Sequence, residues 1–414
     1  MKRLLLFMLI LLSSITFAQN TSFARKIIDS LGSPYLHGRA YCTGSDKLAA
    51  NYIVSLFKQF RVKPINDSYL QKFTLSKNCI TDSILLIVDG TKLELGKDYI
   101  IWGNCPTLHK SFKLKYVKNP KNWAKLSHKN LNDVFLVVDY EKIKSYKKSY
   151  RQILKAFLLN RMQAAGIVIL TDRIFYYKPF EHQKDYALVF IKRDAFPKDA
   201  KMISLSVNSH EQQFTTQNII GYVPGRIDSF VVFTAHYDHL GVLGQVYFPG
   251  ANDNASGTAM VLDLAHRFAN RKTPPKYNVA FILFSGEEMG LLGSMYFVEH
   301  PVFDLNKIKL LVNLDMVGSG DQGITIVNGK EHPEIVEKIK KINEQYHLLP
   351  DIGIRPNAPN SDHYPFTLAN VPAIFIYTRG EYKEYHNIYD RPDKLPLNKF
   401  AQLKKLLYIL TEQL

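Results

Sequence analysis

From Gln217 to the end of the chain, short apolar runs alternate with segments of helical period, and four of the runs lead into carboxylates or imidazoles. Phe230–Ala235 leads into His236-Tyr237-Asp238, Val279–Phe284 into Gly286-Glu287-Glu288, Leu311–Leu314 into Asp315, and Ala373–Tyr377, through a short loop, into Tyr385-His386. Helical periods fill the intervals over Ser256–Asn270, Leu291–His300, Pro333–Tyr346 and Leu397–Leu410. Strands that alternate with helices predict a three-layer α/β/α fold around a mainly parallel mixed sheet. Ligands of such sheets bind outside the carboxyl ends of the strands, so position alone singles out these polar residues.

Asp253 joins the set from Gly250-Ala251-Asn252-Asp253-Asn254-Ala255-Ser256-Gly257, just ahead of a helix. Any one of these groups alone serves readily as a cap, a turn or an ion-pair partner. Their convergence on one end of a sheet points instead to a metal centre. Imidazole nitrogen mixed with carboxylate oxygen, with no cysteine nearby, suits zinc, with manganese or cobalt as substitutes. Two ions roughly 3.5–4 Å apart that share one carboxylate and one water need about five protein ligands. The acids and imidazoles at these strand ends, with Asp253, fit that count. Asp238, two residues beyond His236 in an extended segment, can hold the imidazole in orientation. Neighbouring Glu287 and Glu288 point different ways, so one can bind metal while the other handles a proton.

The rest of the chain sets bounds rather than chemistry. With 414 residues, 46% hydrophobic and 22% charged, the composition is globular and excludes long disorder or a fibrous repeat. A formal charge of +16 favours acidic surfaces without naming a partner. Lys2 and Arg3 precede the apolar run Leu4–Leu12 and a small-residue end at Ala18, which reads as a secretory signal over residues 1–18. That run is too short to span a bilayer and no later one is long enough, so an exported or periplasmic protein without a transmembrane segment is expected. Cys42, Cys79 and Cys105 allow at most one internal bridge and fit no metal clip; they read as packed thiols or as a Cys79–Cys105 pair. Ser45–Phe60 is an amphipathic helix in an amino-terminal part of the catalytic domain, residues 19–105. Residues 106–160 carry 13 Lys and Arg against Asp133, Asp139 and Glu141. With the apolar strands Val134–Val138 and Ile167–Leu170, they predict a small α/β insert over 106–205, the main catalytic part following over 206–414. Lys142, Lys144, Lys147, Lys148 and Arg151, interleaved with Tyr140, Tyr146 and Tyr150, have a composition that can bind polyanions. They read as a solvated helix face, so no specific nucleic acid is expected, and oligomeric state is not legible.

Ala235-His236-Tyr237-Asp238-His239-Leu240-Gly241, the Gly250–Gly257 string and Gly286-Glu287-Glu288-Met289-Gly290-Leu291-Leu292-Gly293-Ser294 together resemble the secreted dinuclear zinc aminopeptidases, co-catalytic metallopeptidases related to glutamate carboxypeptidase. Asn313-Leu314-Asp315-Met316-Val317-Gly318, Ser361-Asp362-His363-Tyr364-Pro365-Phe366 and Tyr385-His386 continue the resemblance in order, and Gly38-Arg39 and Ala49-Ala50-Asn51-Tyr52-Ile53 extend it toward the amino terminus. The insert looks like a protease-associated domain. The resemblance implies two Zn2+ ions per chain: Asp253 bridges them, His236 and Asp315 complete one site, and Glu288 and His386 the other. It further implies Glu287 as general base with Asp238 beside it in the catalytic set, and a strained or cis peptide after Asp253. The implied activity is release of amino-terminal residues from peptides or proteins through a dizinc-bound hydroxide.

Three other readings share these residues. A carboxypeptidase acting on short acidic peptides would use the same metals, with Arg379 a candidate for the substrate carboxylate. A glutaminyl cyclase would need one zinc, and a non-catalytic binding module would be expected to lack Glu287 or several ligands; the full set argues against both. Some relatives place a tyrosine shortly before the Ser-Asp-His stretch, whereas this chain has Ala358-Pro359-Asn360, leaving Tyr364 or His363 to stabilise an oxyanion.

Overall fold

A computed structural model describes residues 21–118, 130–145, 150–173 and 175–414. The signal stretch 1–18, and Tyr146, Lys147 and Lys148 of the basic run, lie outside the described residues. Four parallel strands, in the spatial order Tyr277–Phe284, Ile227–His236, Ile308–Leu314 and Ala373–Thr378, form the centre of a nine-stranded sheet. Their side chains alternate between two cores. Val231, Phe233 and Ala235 face one side, against the helices Ser45–Phe60, Gly257–Ala269, Pro333–Tyr346 and Phe400–Glu412. Val232 and Phe230 face the other, against Phe297 and Phe366 of two shorter helices, Leu292–Glu299 and His363–Leu368. A sheet covered on both faces accounts for the unbroken apolar runs in the sequence.

The antiparallel parts of the sheet are less visible in the sequence. Ile324–Val327 runs antiparallel to Ala373–Thr378, and at the opposite edge Leu70–Cys79 pairs antiparallel with His210–Val223 along ten residue pairs. The long ribbon is rich in Lys, Gln and Thr because much of it is exposed, so it lacks the apolar run that marks a buried strand.

A second sheet of eight strands lies between Leu85 and Val207. It takes in Leu85–Val88, Thr91–Leu93 and Tyr99–Ile101, which precede residue 106. Leu85–Val88 pairs with Met202–Val207 and Tyr99–Ile101 with Ala187–Lys192, long-range partners that no local pattern announces, while Thr91–Leu93 pairs locally with Leu85–Val88. Among the described residues, no helix is long and apolar enough to cross a membrane.

The cysteines pair otherwise than as Cys79–Cys105. Cys42 bridges Cys79 with 5.8 Å between their Cα atoms, tying the loop ahead of the first long helix to the end of the Leu70–Cys79 strand. Cys105 is free and sits in the apolar core of the second sheet, where burial pushes its thiol pKa well up. Titration with a thiol reagent should therefore find almost no reactive thiol in the native protein and one after denaturation. Two or more titratable thiols in the unfolded, unreduced chain would contradict the pairing.

Candidate metal centre

His236 is the last residue of its strand, Asp315 follows the adjacent strand directly, and Glu287 and Glu288 lie in the turn just past a third. The parallel register of these strands sets the three ends side by side. Asp253 comes from the turn Ala251–Ser256, in which the Asp253–Asn254 peptide is cis, as the resemblance implies. Gly250 opens this turn with φ of 58°, and a Cβ there would lie 2.3 Å from the Asp253 carbonyl oxygen, so the bend requires glycine. His386 arrives on the loop after Ala373–Thr378 with φ of 50°, a left-handed conformation uncommon for histidine.

These side chains converge. His236 Nε2 lies 3.3 Å from Asp253 Oδ1 and 3.4 Å from Asp315 Oδ1, while His386 Nε2 lies 3.0 Å from Asp253 Oδ2 and 3.1 Å from Glu288 Oε2. Glu287 Oε2 stands further off, 3.9 Å from His236 Nε2. The five side chains closest to one another are between 1% and 16% exposed, so little bulk water screens them. Asp253 Oδ2 and Asp315 Oδ1 are buried without a hydrogen-bond partner. An oxygen 3.0 Å from an imidazole nitrogen yet not bonded to it faces a point that both share, which is how metal donors are arranged. Donor atoms of His236, Glu287 and Asp315, and of His236, Asp253 and Glu288, lie within 4.8 Å of one another. The residues therefore fit divalent cations.

The electrostatics point the same way. Burial opposes charge on both imidazoles, yet Glu287 and Asp315 hold His236, and Glu288 and Asp253 hold His386, well above the usual pKa. Burial would raise Asp253, but His236 and His386 hold it well below the carboxylate range; His386 and His239 likewise take Glu288 down to about 2. Glu287 behaves oppositely. Burial, together with the charges of Glu288, Asp362 and Asp315, holds it well above the carboxylate range against the pull of His236. Cation binding would displace the imidazole protons that now balance these acids.

Surrounding groups fix the donors. Asp390 accepts from the backbone N–H of Asn252 at 2.9 Å and of Asp253 at 3.0 Å. Asn254 donates to the Leu314 carbonyl at 2.9 Å and accepts from the Gly257 and Met316 amides, joining the turn to the Asp315 strand end. Ser361 Oγ donates to Asp315 Oδ2 at 2.8 Å, itself held by Asn313 and, through it, Thr234. Asp238 differs from the expectation in detail: its main-chain carbonyl, 3.1 Å from His236 Nδ1, is nearer than its carboxylate at 3.8 Å. That carboxylate accepts instead from the Tyr41 hydroxyl at 2.7 Å and the Glu287 amide at 3.3 Å, and burial raises its pKa to about 6.

Several of these partners escape sequence reasoning. His239 places Nδ1 2.7 Å from Glu288 Oε1. Asp390 and Tyr41 belong to no local motif and meet the site only through the fold. His363, one candidate for the oxyanion, is wholly buried against Phe375. Tyr385 stacks on His386 with ring centroids 3.8 Å apart, and burial with the charges of Asp253, Glu288, Glu287 and Asp315 pushes its hydroxyl pKa well up. Its adjacency to His386 was the available signal. Arg379 pairs with Asp351 and donates to the Ile324 carbonyl, so it serves the loop.

Comparisons with known proteins bear on family and fold. Residues 218–410 match the model of peptidase family M28. The chain is 33% identical over 189 residues to aminopeptidase YwaD of Bacillus subtilis and 24% identical over 294 residues to leucine aminopeptidase 1 of Pyrenophora tritici-repentis. Those stretches cover 43% and 67% of this chain, but 39% of the first relative's length and 76% of the second's. Among solved structures, a peptidase M28 precursor from Shewanella amazonensis superposes with a TM-score of 0.72 at 18% identity, covering 95% of this chain and 93% of that one. The zinc aminopeptidase BSAP from Bacillus subtilis superposes with a TM-score of 0.69 at 21% identity, covering 95% and 94%. At these identities the likeness establishes the fold.

Zinc returned to chelated protein should raise its melting temperature, by the equivalent of about 2.7 kcal/mol when free zinc is a hundred times Kd. An unchanged melting temperature would mean that the cluster holds no metal.

Proposed function

We propose that this chain, whose residues 218–410 match peptidase family M28, is an exported dizinc aminopeptidase of that family that removes residues from the amino termini of peptides. The observation that carries the reading is Asp253, whose two oxygens face His236 and His386 separately. It supports a bridging carboxylate, with His236 and Asp315 on one ion and Glu288 and His386 on the other. Bound divalent ions would supply Lewis-acid polarisation of a carbonyl, an acidified water and a field that draws Glu287 to its ionised form.

The protein's own groups do the rest. Glu287, set back from the donor cluster, takes a proton from a water on its carboxylate and passes it to the departing amine. Asp238 keeps Glu287 in register through its amide and His236 in register through its own carbonyl. Tyr385, stacked on the ring of His386, is placed to donate to oxyanion charge that develops on the scissile carbonyl. A substrate's free amino terminus brings hydrogen-bond donors to an acid-rich pocket. The engagement of Arg379 with Asp351 removes the cation that the carboxypeptidase reading assigned to a substrate carboxylate.

The export step rests on residues 1–18. The second sheet is consistent with a protease-associated insert, and its extent supports a start nearer residue 85 than 106.

Glu287→Gln should keep zinc nearly intact while lowering kcat by at least about a hundredfold, as expected on losing a general base. Glu288→Gln should lose zinc as well as turnover. Metal analysis alongside kinetics checks both, and equal zinc loss in the two variants would reverse the roles. Mass-spectrometric digestion of one peptide, free and amino-acetylated, tests direction. The account requires zinc-dependent stepwise loss from the free form alone; carboxyl-terminal loss from both forms would favour the carboxypeptidase.

A further inference from the structure

The loop Gly38–Cys42 supplies none of the proposed ligands, yet it bonds to three segments that carry them, Arg39 reaching the Asp253 carbonyl itself at 3.5 Å. Arg39 is fully buried and donates to the carbonyls of Tyr237 at 2.7 Å, Pro249 at 2.7 Å and Gly250 at 2.9 Å, as well as Leu31 at 2.9 Å. One guanidinium thus joins the strand end bearing His236 to the turn bearing Asp253. Tyr41 makes the complementary link: its hydroxyl donates to Asp238 Oδ2 at 2.7 Å and accepts from the Gly286 amide at 2.9 Å. That joins the same strand end to the turn bearing Glu287 and Glu288.

The loop is itself tightly held. Gly38 has φ of 71°, and a Cβ there would lie 2.5 Å from the Phe248 carbonyl oxygen, so its backbone presses directly on the Gly241–Phe248 loop. The Gly241 amide donates to the Gly38 carbonyl at 3.1 Å. The next residue after Tyr41 is Cys42, bridged to Cys79. A buried arginine with this many carbonyl partners is matched by no other side chain, because only a guanidinium presents a planar fork of donors.

We infer that Arg39 and Tyr41 are positioning residues of the metal centre, setting the spacing between the segments that carry His236, Asp253 and the Glu287–Glu288 pair. The inference rests on the metal-centre reading above. Neither residue touches a substrate or a reacting atom; Arg39 acts through the backbone of ligand-bearing segments, and Tyr41 through the Asp238 carboxylate and the Gly286 amide.

Two variants test it in the full chain. Tyr41→Phe keeps the ring, which packs beside Phe214, and removes only the hydroxyl. With zinc saturating, kcat should fall by about tenfold or more, as small misplacements of catalytic groups do, with KM within about twofold. A hydroxyl that served stability alone would lower the melting temperature and leave kcat of the folded protein unchanged. Arg39→Lys keeps the charge but loses the fork. Zinc dissociation measured by competition with a chromogenic chelator should become about tenfold to a hundredfold more favourable, the usual cost of losing groups that orient ligands. Wild-type kcat in Tyr41→Phe, or wild-type zinc affinity in Arg39→Lys, overturns the inference. If the unaltered protein binds zinc but cleaves no peptide, the functional reading fails, and the zinc competition still judges the role of Arg39.

Discussion

Asp253 offers one carboxylate oxygen to His236 and the other to His386, in a buried space also entered by Glu288 and Asp315. Acids this close and this dry oppose one another's charge, and their field holds the pKa of both imidazoles well above the usual value against burial. The remaining features of this end of the sheet follow from that constraint. Asp390 uses both oxygens on the backbone beside Asp253, and burial raises its pKa to about 7. Ser361 and His239 hold one oxygen each of Asp315 and Glu288, leaving the other oxygens directed into the shared space.

The parallel sheet makes the arrangement possible. Strands registered side by side end at one level, so residues far apart in sequence meet without a long search for contacts. Precision comes from elsewhere. Arg39, Tyr41 and Asn254 reach between the turns that follow different strands and tie them to one another, Arg39 and Asn254 through backbone carbonyls and Tyr41 through the Asp238 carboxylate and the Gly286 amide. Helices on both faces supply apolar burial, and these few polar links set where each turn stops.

Much of this was legible in the sequence because the same residues serve both levels. Phe230–Ala235 and Val279–Phe284 are apolar because their strands are buried on both faces, and the polar residues after them stand out for that reason. Place and donor type single out His236, Asp253, the Glu287–Glu288 pair, Asp315 and His386 in the sequence, and the resemblance divides them into ligands and base. What stayed hidden depends on long-range geometry. The Leu70–Cys79 strand carries the polar surface of an exposed ribbon, the partner of Cys79 lies across a loop, and Asp390 and Tyr41 meet the site only when distant segments fold together. The role of His239 is hidden because sequence spacing relates it to His236, whereas its side chain turns to Glu288.

X-ray diffraction from zinc-loaded crystals, with anomalous data on either side of the zinc absorption edge, tests the central claim most directly. The account predicts two zinc peaks roughly 3.5–4 Å apart, with Asp253 between them, His236 and Asp315 on one and Glu288 and His386 on the other. A single peak, or two peaks that Asp253 does not bridge, would contradict it.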